Sequence, residues 1–192
     1  MTGRFEQAIA LFDAAHAQDP ERDAAGEAQE LVYARRMSAW LEKLAPHAAE
    51  PLRLAARGQH IRRWAIKRTA YPEGAAGYRQ WRIDEAAAHA AAAKEILEQA
   101  GYDAATVQRV QSLVRKERLK QDPEMQLLED VICLVFLEFY LAAFAQKHDE
   151  AKLLRILRLS WGKMSSTGHR AALGLKLAAP LRALVEKALG QA

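Results

Sequence analysis

Apolar side chains recur every three or four residues along the chain, and strict alternation is absent, so the pattern predicts helices and no sheet. Phe5, Ile9 and Phe12 mark a first helix that ends before the turn at Asp19-Pro20. Leu31, Val32, Met37, Trp40 and Leu41 mark a second, closed by Pro46. Pro51 suits the first turn of a third, expected to reach about residue 68. A loop over 69–78, with Tyr71-Pro72, Gly74 and Gly77, separates it from a fourth helix over about 83–100, which Gly101 stops. Asp103, Asp122-Pro123 and Asp149 are N-terminal signals for three more. Ser166 or Thr167 opens another, and Pro180 starts the last. The expected fold is all-α: a single domain over 1–192, with eight or nine helices around a buried central one at about 123–147.

That central stretch is apolar in nearly every direction, as expected of a helix enclosed by others. Glu129, Asp130 and Glu138 therefore stand out as candidate catalytic carboxylates. Asp130 and Glu138 fall within about 80° of each other on the helix and roughly 12 Å apart along it. A carboxylate facing a packed bundle must be paired, coordinated or protonated. Ion pairing with bases of the third helix, acid-base or metal chemistry, and exposure at the helix edge all fit the pattern.

Charge sharpens the picture. The 192 residues carry a formal net charge of +4, yet the segment 53–82 holds eight bases against the one acid Glu73, so the rest of the chain is net acidic. All but Lys67 are arginines, whose planar fork suits phosphate or carboxylate. An internal salt-bridge network and an anion site are both open. On a continuous third helix Arg57, His60, Trp64 and Arg68 would share one face, with Arg63 beside it. Tyr71, Tyr78, Trp81 and Arg82 follow. These nine residues are the candidate wall of a pocket that grips a planar anion by stacking and bidentate hydrogen bonds, and the 69–78 loop is a candidate lid.

Other features change little. Hydrophobic residues make up 51% and Cys133 is the lone cysteine, which excludes a disordered chain and a disulfide scaffold. No leader-like start and no uninterrupted apolar span is present, so a cytoplasmic chain with no membrane partner is expected. Walker, GxGxxG, GxSxG, HExxH and CxxC signatures are absent.

The run Ala55-Ala-Arg-Gly-Gln-His-Ile-Arg-Arg-Trp, then Tyr71-Pro72, Gly77-Tyr78, Trp81-Arg82 and Leu128-Glu-Asp-Val-Ile-Cys-Leu-Val-Phe-Leu-Glu, resembles the family called domain of unknown function 4202. Phe12-Asp13-Ala-Ala-His16 and Lys163-Met164-Ser165 extend the likeness over nearly the whole chain. Members of that family sometimes carry a glutamyl-tRNA synthetase label, but no synthetase nucleotide signature is present here. In order along the chain, His60, His89 and Asp130 are also similar to the metal ligands of HD-type phosphohydrolases, with Ala90 where that superfamily has Asp after its second histidine. This second resemblance implies an HD-like fold, mixed N/O ligation of Mn, Fe or Zn, and Glu129 or Glu138 orienting a water.

Three functions follow as expectations. The first is binding of a phosphorylated, nucleotide-like small molecule, with metal-assisted hydrolysis if the HD likeness holds. The second is an RNA-binding module that uses the same Arg, Trp and Tyr surface. The third is a scaffold whose arginines and acids pair only with each other.

Overall fold

The computed structural model describes residues 3–190, and these are all-α: ten α-helices and no strand. They form two compact units that divide after Glu117, each with its own core. None of the helices is long and apolar enough to cross a membrane.

In the first unit α1 (Arg4–His16), α2 (Gln29–Leu44) and α3 (Glu50–Arg57) pack with α4 (Gly74–Gln99) and α5 (Ala104–Val114). Phe12, Met37, Leu41, Leu54, Leu97 and Leu113 are fully buried between them. Burying a side chain of this size is worth about 1.5–3 kcal/mol, so these six are among the unit's main stabilising contributions. Asp103 caps α5 by accepting from the Thr106 amide at 2.7 Å.

Two boundaries depart from expectation in this unit. The third helix stops at Arg57, not near residue 68, because His60 and Arg62 take left-handed backbone angles of 59° and 54°. Two short 3-10 turns, Arg63–Ala65 and Arg68–Ala70, carry the chain onward. The expected one-faced stripe through Arg57, His60, Trp64 and Arg68 therefore does not form. The expected loop is largely helix, since α4 begins at Gly74. Gly77 serves a close approach and not a hinge: a Cβ there would sit 2.0 Å from the Pro72 carbonyl oxygen. Only 69–73 remains outside α4, too little for the expected lid.

In the second unit α6 (Pro123–Val135) runs through a π-helical turn at Phe136–Tyr140 into α7 (Leu141–Ala145). Asp122 caps α6 and Pro123 sits in its first turn, as the sequence signals. α6 packs against α8 (Glu150–Lys163) and α9 (Ser166–Leu173), and α10 (Ala179–Leu189) packs on α8. Met125, Leu128, Leu134 and Leu141 are fully buried. The expected all-round burial fades at the π turn, where Glu138 is exposed and Phe139 is 40% exposed.

Candidate functional site

The interior of the first unit contains an unusual concentration of charge. Glu85 on α4 is 1% exposed and takes Arg82 Nη1 at 2.5 Å and Arg63 Nε at 3.5 Å. Arg63 also donates to His60 Nδ1 at 3.1 Å. A guanidinium has only hydrogens to offer, so this nitrogen is a lone pair and the neutral ring carries its hydrogen on Nε2. The His60 ring stacks on Tyr33 with centroids 4.5 Å apart. Burial holds this imidazole well below its usual range, and the positive charges of Arg63, Lys116 and Arg82 push the same way. On the other side Glu30 lies 3.8 Å from His60 Nδ1. Burial raises its carboxyl to about 7, with Arg63 pulling it down.

His89, one turn beyond Glu85 on α4, has the opposite tautomer. Its Nδ1 lies 2.7 Å from the Ile61 carbonyl oxygen and must donate, because a carbonyl only accepts. That leaves a lone pair on Nε2, which is buried and has no hydrogen-bond partner. Burial lowers this ring to about 4, helped by Arg63 and Arg82. The two histidine rings are 5.9 Å apart.

Both histidines border one cavity of about 200 Å³, together with Gln59, Arg82, Arg115 and Lys116. Ile83, Ala86 and Val114 complete its wall, and no carboxylate lines it. Gln59 is 2% exposed and its Nε2 also lacks a partner. Two of the lining residues, His60 and Lys116, hold left-handed backbone angles, 59° and 60°. For an ordinary L-residue that conformation costs roughly 1–2 kcal/mol, and such cost gathers where geometry matters more than stability.

Of the nine candidate ligand residues, only His60 and Arg82 reach this cavity. Arg57 grips Asp13 with two bonds of 2.6 and 2.7 Å and reaches Ser38 at 3.2 Å, while its carbonyl accepts from His16. Arg63 supports the cavity from behind through His60 and Glu85. Arg68 clasps the Tyr71 and Pro72 carbonyls, each at 3.0 Å. Tyr71 donates to Asp84, and the Trp81 indole donates to the Ile66 carbonyl. Trp64 is half-buried, and Tyr78 is 52% exposed beside Trp81. Gln59, Arg115 and Lys116 escaped the sequence reading. The basic run around Lys116, just past α5, was the available signal.

The candidate catalytic acids belong to the second unit. Asp130 is 2% exposed and accepts from the Ser165 amide at 2.7 Å, the Ser165 hydroxyl at 2.5 Å and Gln126 Nε2 at 3.2 Å. Ser165 in turn caps α9 by accepting from the Gly168 amide. Asp130 thus pins the start of α9 to α6. Glu129, 2% exposed, lies 3.5 Å from Lys163 Nζ. Glu138 is exposed, the helix-edge alternative left open by the sequence.

The expected metal ligands are His60, His89 and Asp130. Among the described residues, no three His, Cys, Asp or Glu side chains group so as to hold a metal ion. The two histidines sit among Arg63, Arg82 and Lys116, a field that repels a divalent cation and attracts an anion. The first unit's donor set therefore does not fit Mn, Fe or Zn.

Compared with known proteins, residues 6–185 match the family model described as Domain of unknown function (DUF4202). No curated protein and no solved structure matches the chain.

Proposed function

Since the chain belongs to the DUF4202 family, which brings no activity with it, we propose from the geometry alone that the first unit binds a small phosphorylated molecule by its anionic end. The observation that carries this reading is the cavity itself. Arg82, Arg115 and Lys116 border it, the unpartnered Gln59 amide adds a donor, and no carboxylate is among its lining residues. Burying an amide without a partner costs on the order of 1–3 kcal/mol, and an oxyanion would recover that cost. A volume of about 200 Å³ lies under the ~300–1,000 Å³ of sites for drug-sized ligands. The pocket thus takes the phosphate end, and any larger body of the ligand stays outside. With the aromatic candidates Trp81 and Tyr71 tied into the local structure, ring stacking is not part of the reading. Neither is metal-assisted hydrolysis.

The test is thermal. Inorganic phosphate or sulfate should raise the melting temperature with a saturable dose dependence, because a ligand held only by the native state stabilises it. Lys116→Glu should abolish the rise while the variant still melts cooperatively. An unsaturable rise shared by that variant would reduce the effect to bulk salt and end the reading.

A further inference from the structure

We propose that the pocket selects a phosphate that still carries a proton, the monoanionic hydrogen phosphate of a phosphate monoester or of free phosphate, and discriminates against a proton-free anion of equal charge and shape. This rests on the anion-binding reading above and adds to it the polarity of the site. The two histidines that border the cavity are locked in opposite tautomers by partners whose roles are chemically fixed. Arg63 must donate, so His60 keeps its hydrogen on Nε2. The Ile61 carbonyl must accept, so His89 keeps a lone pair on Nε2. His89 is 5% exposed, and that lone pair has no partner.

An oxyanion without hydrogen brings only acceptors. It would supply a partner for the Gln59 amide and face the positive charges of Arg82 and Lys116, but would set its own lone pairs against that of His89. The monoanion of a monoester offers two unprotonated oxygens to the donors and its P–O–H to His89. Protonating His89 instead is disfavoured by burial and by the bases around it, which together outweigh the hydrogen bond to Ile61. Arg82 stands on the same helix, His60 and Arg63 on the segment after α3, His16 on α1, and Arg115 and Lys116 at the end of α5. Glu85 is already shared between Arg63 and Arg82, and Glu30 lies against His60. The ring remains neutral and accepting down to about pH 4.

Methyl phosphate and methyl sulfate provide the comparison, because at pH 5.5 most of the phosphate is a monoanion of the same charge and shape as the sulfate, with phosphorus for sulfur and one added hydrogen. Calorimetric titration of the intact protein should show methyl phosphate binding about tenfold or more tightly than methyl sulfate, the expected consequence of one mispaired buried acceptor. Its affinity should fall as pH rises to 8 and the proton leaves, a monoester's second ionisation lying near about 6. His89→Asn retains a donor for the Ile61 carbonyl but deletes the accepting nitrogen, and should bring the two ligands within about twofold. Inorganic phosphate, run in parallel, separates the sources: tighter binding than methyl phosphate points to free phosphate, weaker binding to an ester. Equal affinities of wild type for methyl phosphate and methyl sulfate would overturn the proton selection and leave the anion pocket standing. Binding of none of the three would remove both. The wild-type comparison decides the matter even if His89→Asn does not fold.

Discussion

Both units bury acids and hydrogen-bonding side chains, but they satisfy them to different degrees. In the second unit Asp130 has two acceptors on one oxygen and one on the other filled, all by groups of its own unit. In the first, Glu30, His60, Arg63, Arg82 and Glu85 form a network built around the buried Glu85, with Arg63 and Arg82 partly exposed, and two buried atoms of residues that border the cavity, His89 Nε2 and Gln59 Nε2, remain unpaired. A closed network stabilises the fold and has no capacity left for a guest. An open one bordering a hollow is less stable than it could be, and the missing partner is what a ligand would supply. Buried charge alone distinguishes nothing; how completely it is paired does.

The most severe way to probe the closed side is Asp130→Ala. It removes three hydrogen bonds and strands the Ser165 cap, so it should cost about 3 kcal/mol in denaturant unfolding. A loss under about 1 kcal/mol would mean that Asp130 is not the structural pin described, and its place among the catalytic candidates would reopen. Gly168→Ala tests the same junction sterically. A Cβ at this position would lie 2.6 Å from Asp130 Oδ1, so about 2 kcal/mol should be lost, with no charge removed.

The open side should reveal itself through pH. Glu30's carboxyl is raised to about 7 in the fold from 4.5. Its contribution is therefore fully favourable below the unfolded value and is lost as pH rises through 7. Glu30→Gln, which imitates the protonated acid, should match wild type near pH 4.5 and exceed it by about 1–2 kcal/mol at pH 8. His89, depressed to about 4 from 6.5, has the opposite sign and removes stability as pH falls below 6.5 in both proteins. The difference between the two unfolding curves thus isolates Glu30. A variant less stable than wild type at pH 8 would show that the ionised carboxylate is fully paired and the network closed.

The outline of this contrast was legible in the sequence, but its location was not. Periodicity and capping residues gave the all-α class and marked Asp103, Asp122 and Asp149 as helix starts, because capping is a local interaction with a short signature. The basic stretch 53–82 contains two residues, His60 and Arg82, that border the cavity. What failed was continuity. Nothing local distinguishes His60 and Arg62, neither of them glycine, as left-handed residues, so the third helix was carried too far and its stripe of partners came out wrong. The sequence pattern singled out Asp130 and passed over Glu85. Only the fold shows that a backbone amide and a hydroxyl 35 residues away saturate one, while the other sits behind a cavity.

The gentlest probe sets stability against binding at one residue. Lys116 holds a φ of 60°, an angle glycine adopts freely and lysine does not. Lys116→Gly removes that strain but adds freedom to the unfolded chain, so the net gain should be about 0.5–1 kcal/mol, read from the denaturation midpoint. The same change takes a positive charge from the cavity wall and should weaken phosphate binding severalfold. Opposite signs in one variant are what a residue kept strained for a ligand produces. If Lys116→Gly were destabilising and bound phosphate normally, the lysine would be serving the fold, and the first unit's interior would be another closed network like that around Asp130.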